Sequence, residues 1–440
     1  MTDTVPGRAE VHFDRHTPEY RHQFEAVTAE MQKCPVAWSD TYGGHWVISD
    51  HKSVFDLARD PSLLSTDKDV HGVRKGYVGV GIPSNPYVVA GFLEMDPPGQ
   101  KDYRTALNPY LSPAAVARWA PMVIDVTRAC LDEKIESGRI DFVDDLANIV
   151  PAVMTMALMG LPIADWTIYN EPAHATIYTP PDSPDMPRVM QQFLQMVASL
   201  AAALEQSAAD PKPGLVSALL NAEIDGAKAS TEDLINVLVL LVVGGFDTTT
   251  ALTAGSLNWL SQNPAERARL AADLPGLINS ATEEFLRYVT PAPGDGRTVT
   301  ADCVYAGQRL KEGDRLWLSW AMANRDPEVF PDPHTIKLDR QMNRHTTFGL
   351  GVHRCIGSNV ARAIFKVMLS AVLERMPDFV CDPAGAVHYP TIGVINGMQH
   401  LPATFTPGKR LGDDLAPTIA KWQERCDRER LADPITRADR

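Results

Sequence analysis

The chain is short of cysteine, of basic charge and of long apolar runs. Its six cysteines, Cys34, Cys130, Cys303, Cys355, Cys381 and Cys426, are spread over 440 residues. None stands close to another and no C-x-x-C pair occurs, which excludes a cysteine-framed zinc site and fits a reducing cytoplasm. Lysine and arginine number 41 against 55 aspartates and glutamates, a net charge of −14. That deficit argues against nucleic-acid binding, which needs a basic surface to meet phosphate. The most apolar stretch, Leu234–Phe246, has 13 residues and is interrupted by Asn236. A membrane span takes ~20. Met1 to Phe24 mixes Asp, Arg, His and Glu with few apolar residues, so no signal peptide is expected. There is no internal repeat and no low-complexity tract. The expectation is a cytoplasmic protein with no membrane span.

The composition, 45% hydrophobic and 22% charged, is that of a folded chain large enough to need no disulfide staples. At ~150 residues per domain the length predicts about three domains. Residues 1–40 read as irregular and polar. His45–Ser49 reads as a short strand, followed by a helix over Lys52–Arg59 capped by Asp50. Residues 67–93 form a long loop with Gly72, Gly76, Gly79, Gly81 and Gly91 among apolar side chains, the composition of a lid or binding loop. The other reading is a plain linker, which the apolar content disfavours.

Helices are expected over 100–111, 113–137, 142–159, 165–178 and 188–207. Ser230-Thr231-Glu232-Asp233 resembles a capping box and opens a helix that runs to Gln262, ~32 residues or ~48 Å. Its middle is apolar on every face, so it should cross the core. Strands follow at 297–305 and 314–318, and a last helix at 356–375. The balance is mainly α with small β-sheets.

The sharpest string is Phe348-Gly349-Leu350-Gly351-Val352-His353-Arg354-Cys355-Ile356-Gly357. It places a cysteine at the start of a helix inside a glycine-rich loop. The helix dipole and unpaired N–H groups there favour a thiolate, and Gly349, Gly351 and Gly357 let backbone approach a flat partner. Taken alone, the residue reads equally as a buried structural cysteine. The long helix carries Gly244-Gly245-Phe246-Asp247-Thr248-Thr249. Two interior glycines cost ~1 kcal/mol each, which either a close ligand or close packing would explain. The Thr248 hydroxyl can bond the Gly244 carbonyl and bend the helix. Glu284 and Arg287 are three apart on a helix and share a face.

The string F-x-x-G-x-H-x-C-x-G resembles the heme-binding signature of the cytochrome P-450 family, matching at every defining position. Glu284-Phe285-Leu286-Arg287, Asp247-Thr248 and Asp96-Pro97-Pro98-Gly99-Gln100-Lys101-Asp102-Tyr103-Arg104 fit the same family in the same order, across roughly residues 40–405. The overall look is that of the soluble bacterial branch near the terpene and camphor hydroxylases. The resemblance implies a single multihelical heme domain over 41–407, an irregular segment 1–40, and a charged extension 408–440 with eight basic and seven acidic residues.

It also implies heme b as cofactor, with Cys355 the axial iron ligand whose thiolate favours O–O cleavage. His353, Arg297, Arg104 and Gln100 would meet the propionates, and Phe348 would shield the sulfur. Glu284, Arg287 and Arg340 would lock the core. Asp247 would relay protons and Thr248 would steady the activated oxygen. The pocket wall would comprise Val88, Val89, Leu93, Leu240, Val243, Gly244, Ala292, Pro293, Ile392, Val394 and Ile395. These are nearly all apolar, so the implied substrate is lipophilic: a terpenoid, a steroid or a fatty-acid-like chain. Val88 stands where the camphor branch has a hydroxyl-bearing tyrosine, which argues against camphor.

With no flavin or ferredoxin domain, electrons would come from a separate ferredoxin and its NAD(P)H-dependent reductase. They would dock on a basic face formed by Arg344, Arg354, Arg362 and Lys366 of a monomeric protein. Two other functions stay open: a peroxide-driven heme enzyme, and a non-catalytic heme sensor or ligand-binding protein. Neither needs the acid–alcohol pair.

Overall fold

The structure is a computed structural model that describes residues 7–69, 76–85, 89–180 and 182–434. Its axis is the helix Thr231–Gln262. Ser230 starts it as foreseen, its Oγ accepting the Asp233 amide at 3.1 Å. The helices Ile149–Met159, Trp166–Tyr178, Leu274–Val289 and Ser358–Arg375 pack around it. Every residue of Ile149–Met159 is buried, as a sequence apolar at all positions but Thr155 requires. By length and composition alone the axial helix would be able to cross a membrane, but 67% of its most apolar window is buried inside the protein. It is a core helix.

A five-stranded sheet lies beside the helices in the order Val36–Ser39, His45–Ile48, Arg315–Leu318, Asp295–Val299, Leu64–Ser65. All neighbours are antiparallel except His45–Ile48 with Arg315–Leu318. The sheet carries its own apolar core of Trp46, Ile48, Leu316, Leu318 and Trp320. The helix after it is capped by Asp50, whose Oδ2 accepts the Ser53 amide at 2.9 Å.

Three readings of the sequence need correction. The segment 1–40 is not irregular. It forms the helix Pro18–Met31 and the edge strand Val36–Ser39, and Trp38 sits opposite Trp46 in the sheet, so a boundary at residue 40 cuts through one sheet. Phe13, Tyr20 and Met31 are buried against Val47, Ile82 and Trp317. The stretch 113–137 is two helices, Pro113–Ala117 and Ala120–Ile135, broken at buried Trp119. Pro121 has no amide to continue the first helix and instead suits the opening of the second.

The helix ending at Arg375 is not the last. The extension 408–440 holds the helix Leu415–Glu429, which buries Leu415, Thr418, Ile419 and Trp422 against the helix Ala120–Ile135. Asp132 accepts the Leu411 and Gly412 amides at 3.0 Å and so anchors the approach to this helix. Trp422 is 2% exposed and donates Nε1–H to Asp125 at 2.9 Å. Truncating a buried Trp costs about 3–5 kcal/mol. Trp422→Ala is therefore expected to lower the thermal midpoint by several degrees. An unchanged midpoint would show that the extension is only laid on the surface.

Candidate functional site

The cysteine loop is positioned by backbone bonds and by side chains from distant segments. The Cys355 amide donates to the Phe348 carbonyl at 2.7 Å, closing the loop ahead of the helix Ser358–Arg375. Gly351 takes φ +68°, and a Cβ there would sit 2.5 Å from the Ala58 carbonyl oxygen, so only glycine fits. Gly349, at φ +65°, turns the chain in the open, with Trp320 no nearer than 3.7 Å. Gly357 leaves room beside the sulfur, which is the nearest atom to its Cβ position at 3.9 Å. The Phe348 ring is covered on one side by the Arg362 guanidinium, 4.5 Å from its centroid.

All four residues expected at the heme edge meet this loop, three of them with polar groups to spare. Arg104 donates Nη2–H to the Arg354 carbonyl at 2.8 Å. His353 pairs Nε2 with the Thr66 hydroxyl at 3.1 Å and leaves Nδ1 buried without a partner. Burial first, then the Arg297 charge, pushes its imidazole down to about 3, so it is neutral at working pH. Arg297 is 3% exposed, and its one hydrogen bond among the described residues runs to the Gly296 carbonyl at 2.7 Å. Burial lowers its guanidinium, against the nearby carboxylates of Asp295 and Asp96. A buried cation of this kind with spare donors fits an anion. Gln100 behaves otherwise: it is 1% exposed and its amide is committed to the Val352 carbonyl at 2.7 Å, so it braces the loop from inside.

The expected thiolate at Cys355 needs qualification. The residue is exposed, yet desolvation by the protein around the sulfur raises the thiol and outweighs the Gly357 amide and the charges of Arg354, Arg104 and Arg362. The helix start alone does not ionise this sulfur; a metal ion opposite it would, because a coordinated thiol loses its proton outright. The cysteine, the cationic rim and the unpartnered His353 nitrogen together fit a heme iron with its carboxylates.

On the axial helix the two glycines have different reasons. A Cβ on Gly245 would lie 2.7 Å from Thr155 Oγ1, so this glycine serves packing. Gly244 is exposed, with nothing within 4 Å of its Cβ position, as a ligand-facing residue should be. Thr248 donates to the Gly244 carbonyl at 3.0 Å. Asp247, beside it, is 1% exposed and turned into the protein. Its Oδ1 accepts from Tyr389 Oη at 2.5 Å and pairs with His174 Nδ1. Neither His174 nor Tyr389 was singled out from the sequence. They lie 73 and 142 residues away from Asp247, and no motif marks them.

The expected pocket wall is placed unevenly. Leu240, Val243 and Gly244 share the accessible side of the axial helix. Val89 and Leu93 are half-buried beside the turn Gly91–Glu94, and a Cβ on Gly91 would touch the axial helix at Val237. Glu94 organises this loop by accepting the Val80 and Ala90 amides, both at 2.9 Å, a role the sequence did not suggest. Ala292 and Ile395 cluster with Ala251 and Tyr389, and Pro293 accepts the Ala321 amide. Ile392 packs instead with Phe13, Ile82 and Trp317, behind the wall rather than in it. Val394 is 51% exposed. Gly72 and Val88 lie outside the described residues.

The basic face is smaller than its sequence count. Arg362 is bound through Nε and Nη2 to both oxygens of Glu283 at 2.7 Å, whereas Lys366 donates to the neutral Asn279 side chain at 2.6 Å and keeps its charge unpaired by any carboxylate among the described residues. Arg344 and Arg354 are exposed. A cleft of about 410 Å³ opens there, lined by Arg104, Asn108, Arg354, Cys355 and Asn359 among others.

Comparison with known proteins agrees with this geometry. The family profile described as cytochrome P450 matches residues 165–378. The methyl-branched lipid omega-hydroxylase of Mycobacterium tuberculosis is 30% identical over 375 residues, covering 82% of this chain and 84% of its own length. Cytochrome P450-terp of a Pseudomonas species is 26% identical over 400 residues, covering 86% and 91%. Among solved structures, a mutant of P450 EryK in complex with erythromycin B superposes with a TM-score of 0.78 at 27% identity, covering 90% of this chain and 99% of that one.

Proposed function

Because the chain belongs to the cytochrome P450 family of heme-thiolate monooxygenases, we propose that it hydroxylates a lipophilic small molecule with O2 and electrons from a separate ferredoxin. The observation that carries this reading is the convergence of Arg104, Arg297 and the unpartnered His353 nitrogen on the Cys355 loop. Cys355 would hold the iron of heme b, and Arg104, Arg297 and His353 would take its carboxylates. The heme, when bound, supplies the oxygen-activating chemistry. The chain's own part is to bind an apolar substrate against Leu240, Val243, Ala292 and Ile395, to exclude water, and to move protons. Thr248 would hold a proton at its Oγ, released from the Gly244 carbonyl, and Asp247 would resupply it.

Terpenoids, steroids and fatty-acid-like chains all fit such a wall. A substrate-induced spin-shift screen over these three classes selects among them. The domain reading becomes one heme domain that takes in both the N-terminal strand and the C-terminal helix, working as a monomer in the cytoplasm. Product formation linked to NAD(P)H through a surrogate ferredoxin, and lost in Asp247→Asn, tests the activity. Turnover with peroxide alone, indifferent to that substitution, would replace it with the peroxide-driven reading.

Acidic ferredoxins would be steered to Arg344 and Arg354. Ferredoxin-driven turnover is expected to slow with rising salt and in Arg354→Glu, with the substrate spin shift unchanged. Rates indifferent to both would remove this docking face.

A further inference from the structure

The reading of Asp247 as a proton-relaying group leaves open what holds it, and the structure shows an arrangement that no motif announces. Asp247, His174 and Tyr389 are 1%, 3% and 4% exposed. They come from three separate elements: the axial helix, the helix Trp166–Tyr178, and the chain just after the strand Val387–His388. Both Tyr389 Oη and His174 Nδ1 engage the same carboxyl oxygen, Oδ1. Oδ2 is buried with no partner, and so is His174 Nε2. Among the described residues no arginine or lysine pairs with Asp247, and His174 is its only ion-pair partner.

Tyr389 is a dependable donor. Burial, followed by the Asp247 charge, raises its phenol far above its ordinary range, so it keeps its proton throughout. A carboxylate oxygen can only accept, so the His174 nitrogen facing it carries a hydrogen as well. Two donors on one oxygen fix the rotation of the carboxyl group and concentrate its unpaired basicity on the other oxygen. Burying a carboxyl oxygen without a partner is costly, and such groups persist in native proteins where they serve a purpose. The ring of Tyr178 packs on that of Tyr389, 5.6 Å between centroids, and its hydroxyl reaches exposed Glu171 at 3.4 Å.

We propose that His174 and Tyr389 are positioning residues for Asp247, pinning its Oδ1 from two sides so that Oδ2 is the one oxygen left to take up a proton and pass it on toward Thr248. No bond other than O–H is made or broken. The proton that leaves Oδ2 is replaced from solvent, so the carboxyl returns to its starting state each turnover. This inference rests on the proposed role of Asp247 but adds what that role requires.

The test uses the heme-loaded enzyme with a surrogate ferredoxin and whichever substrate gives the largest spin shift. Asp247→Asn should lower kcat about 100-fold, within the usual range for a positioned acid–base group. Tyr389→Phe and His174→Leu should each lower kcat and the product formed per NAD(P)H about 10-fold, with KM and the spin shift unchanged. His174→Gln, which restores an N–H donor, should recover to within about twofold of the parent enzyme. Residues acting through one group are non-additive, so Tyr389→Phe should do no further damage in an Asp247→Asn background.

A second readout is independent of turnover. The fall in the urea unfolding midpoint caused by Tyr389→Phe should shrink by half or more in an Asp247→Leu background. Equal losses in both backgrounds, a full further tenfold drop in the double variant, or an unimpaired Tyr389→Phe beside a crippled Asp247→Asn would each overturn the positioning role. An unimpaired Asp247→Asn would instead overturn the proton-relay reading on which it rests.

Discussion

Glu284→Gln is expected to destabilise the folded chain by about 3–5 kcal/mol. Glu284 and Arg287 are both fully buried, and the carboxylate is shared. Arg287 donates to its two oxygens at 2.8 Å, Arg340 at 2.9 Å, Asn343 at 3.0 Å and the Lys337 amide at 2.8 Å. Arg287 spends its remaining donors on the carbonyls of Asn324, Pro333 and Thr335, so this one ion pair ties the helix Leu274–Val289 to the chain leading into the cysteine loop. Removing one partner leaves the other buried charge uncompensated, which costs about 3–5 kcal/mol. That is a large share of the ~5–15 kcal/mol that holds a typical fold together.

The acid side follows from the same pair. Burial alone would raise the Glu284 carboxyl, but the hydrogen bonds and charge of Arg287, with the Lys337 amide and Arg340, hold it below its ordinary value. Its contribution is therefore complete above the ordinary carboxylate pKa and is lost as pH falls through the depressed folded value. Urea unfolding at pH 7 should show the loss, and the acid limb of stability should flatten in the variant. A midpoint and acid limb equal to those of the parent chain would refute this account.

Cys355→Ser is expected to abolish the thiolate-type, red-shifted Soret band of the ferrous–CO form. It should cut monooxygenase turnover more than about 100-fold, since even the outer partners of a metal ligand are worth about 10–100-fold. The fold should survive. What closes the loop is the Cys355 amide on Phe348, Gln100 on Val352 and Arg104 on Arg354, none of which involves the sulfur. A variant that retains the red-shifted band would remove Cys355 as the ligand.

Much of the architecture could be read before any coordinates. The caps at Ser230 and Asp50, the Thr248 bond to Gly244 and the Glu284–Arg287 pair all link residues three or four apart. The cysteine loop and the Asp96–Arg104 segment were marked by strings specific enough to name a family. The N-terminal helix Pro18–Met31 escaped because it buries few side chains, among them Tyr20 and Met31, and shows almost no apolar stripe. The helix Leu415–Glu429 escaped because its charged residues outnumber the four it buries.

The amino-acid order alone marked the candidate residues for the chemistry and the helices that present them, because local spacing sets which side chains share a face. Tertiary packing decided their condition. It silenced Arg362 on Glu283, turned Gln100 inward, kept the Cys355 thiol from ionising unaided, and gave Asp247 two partners from distant segments. These outcomes depend on desolvation and on contacts between residues tens to hundreds of positions apart. A periodicity of two or 3.6 residues carries no information about either.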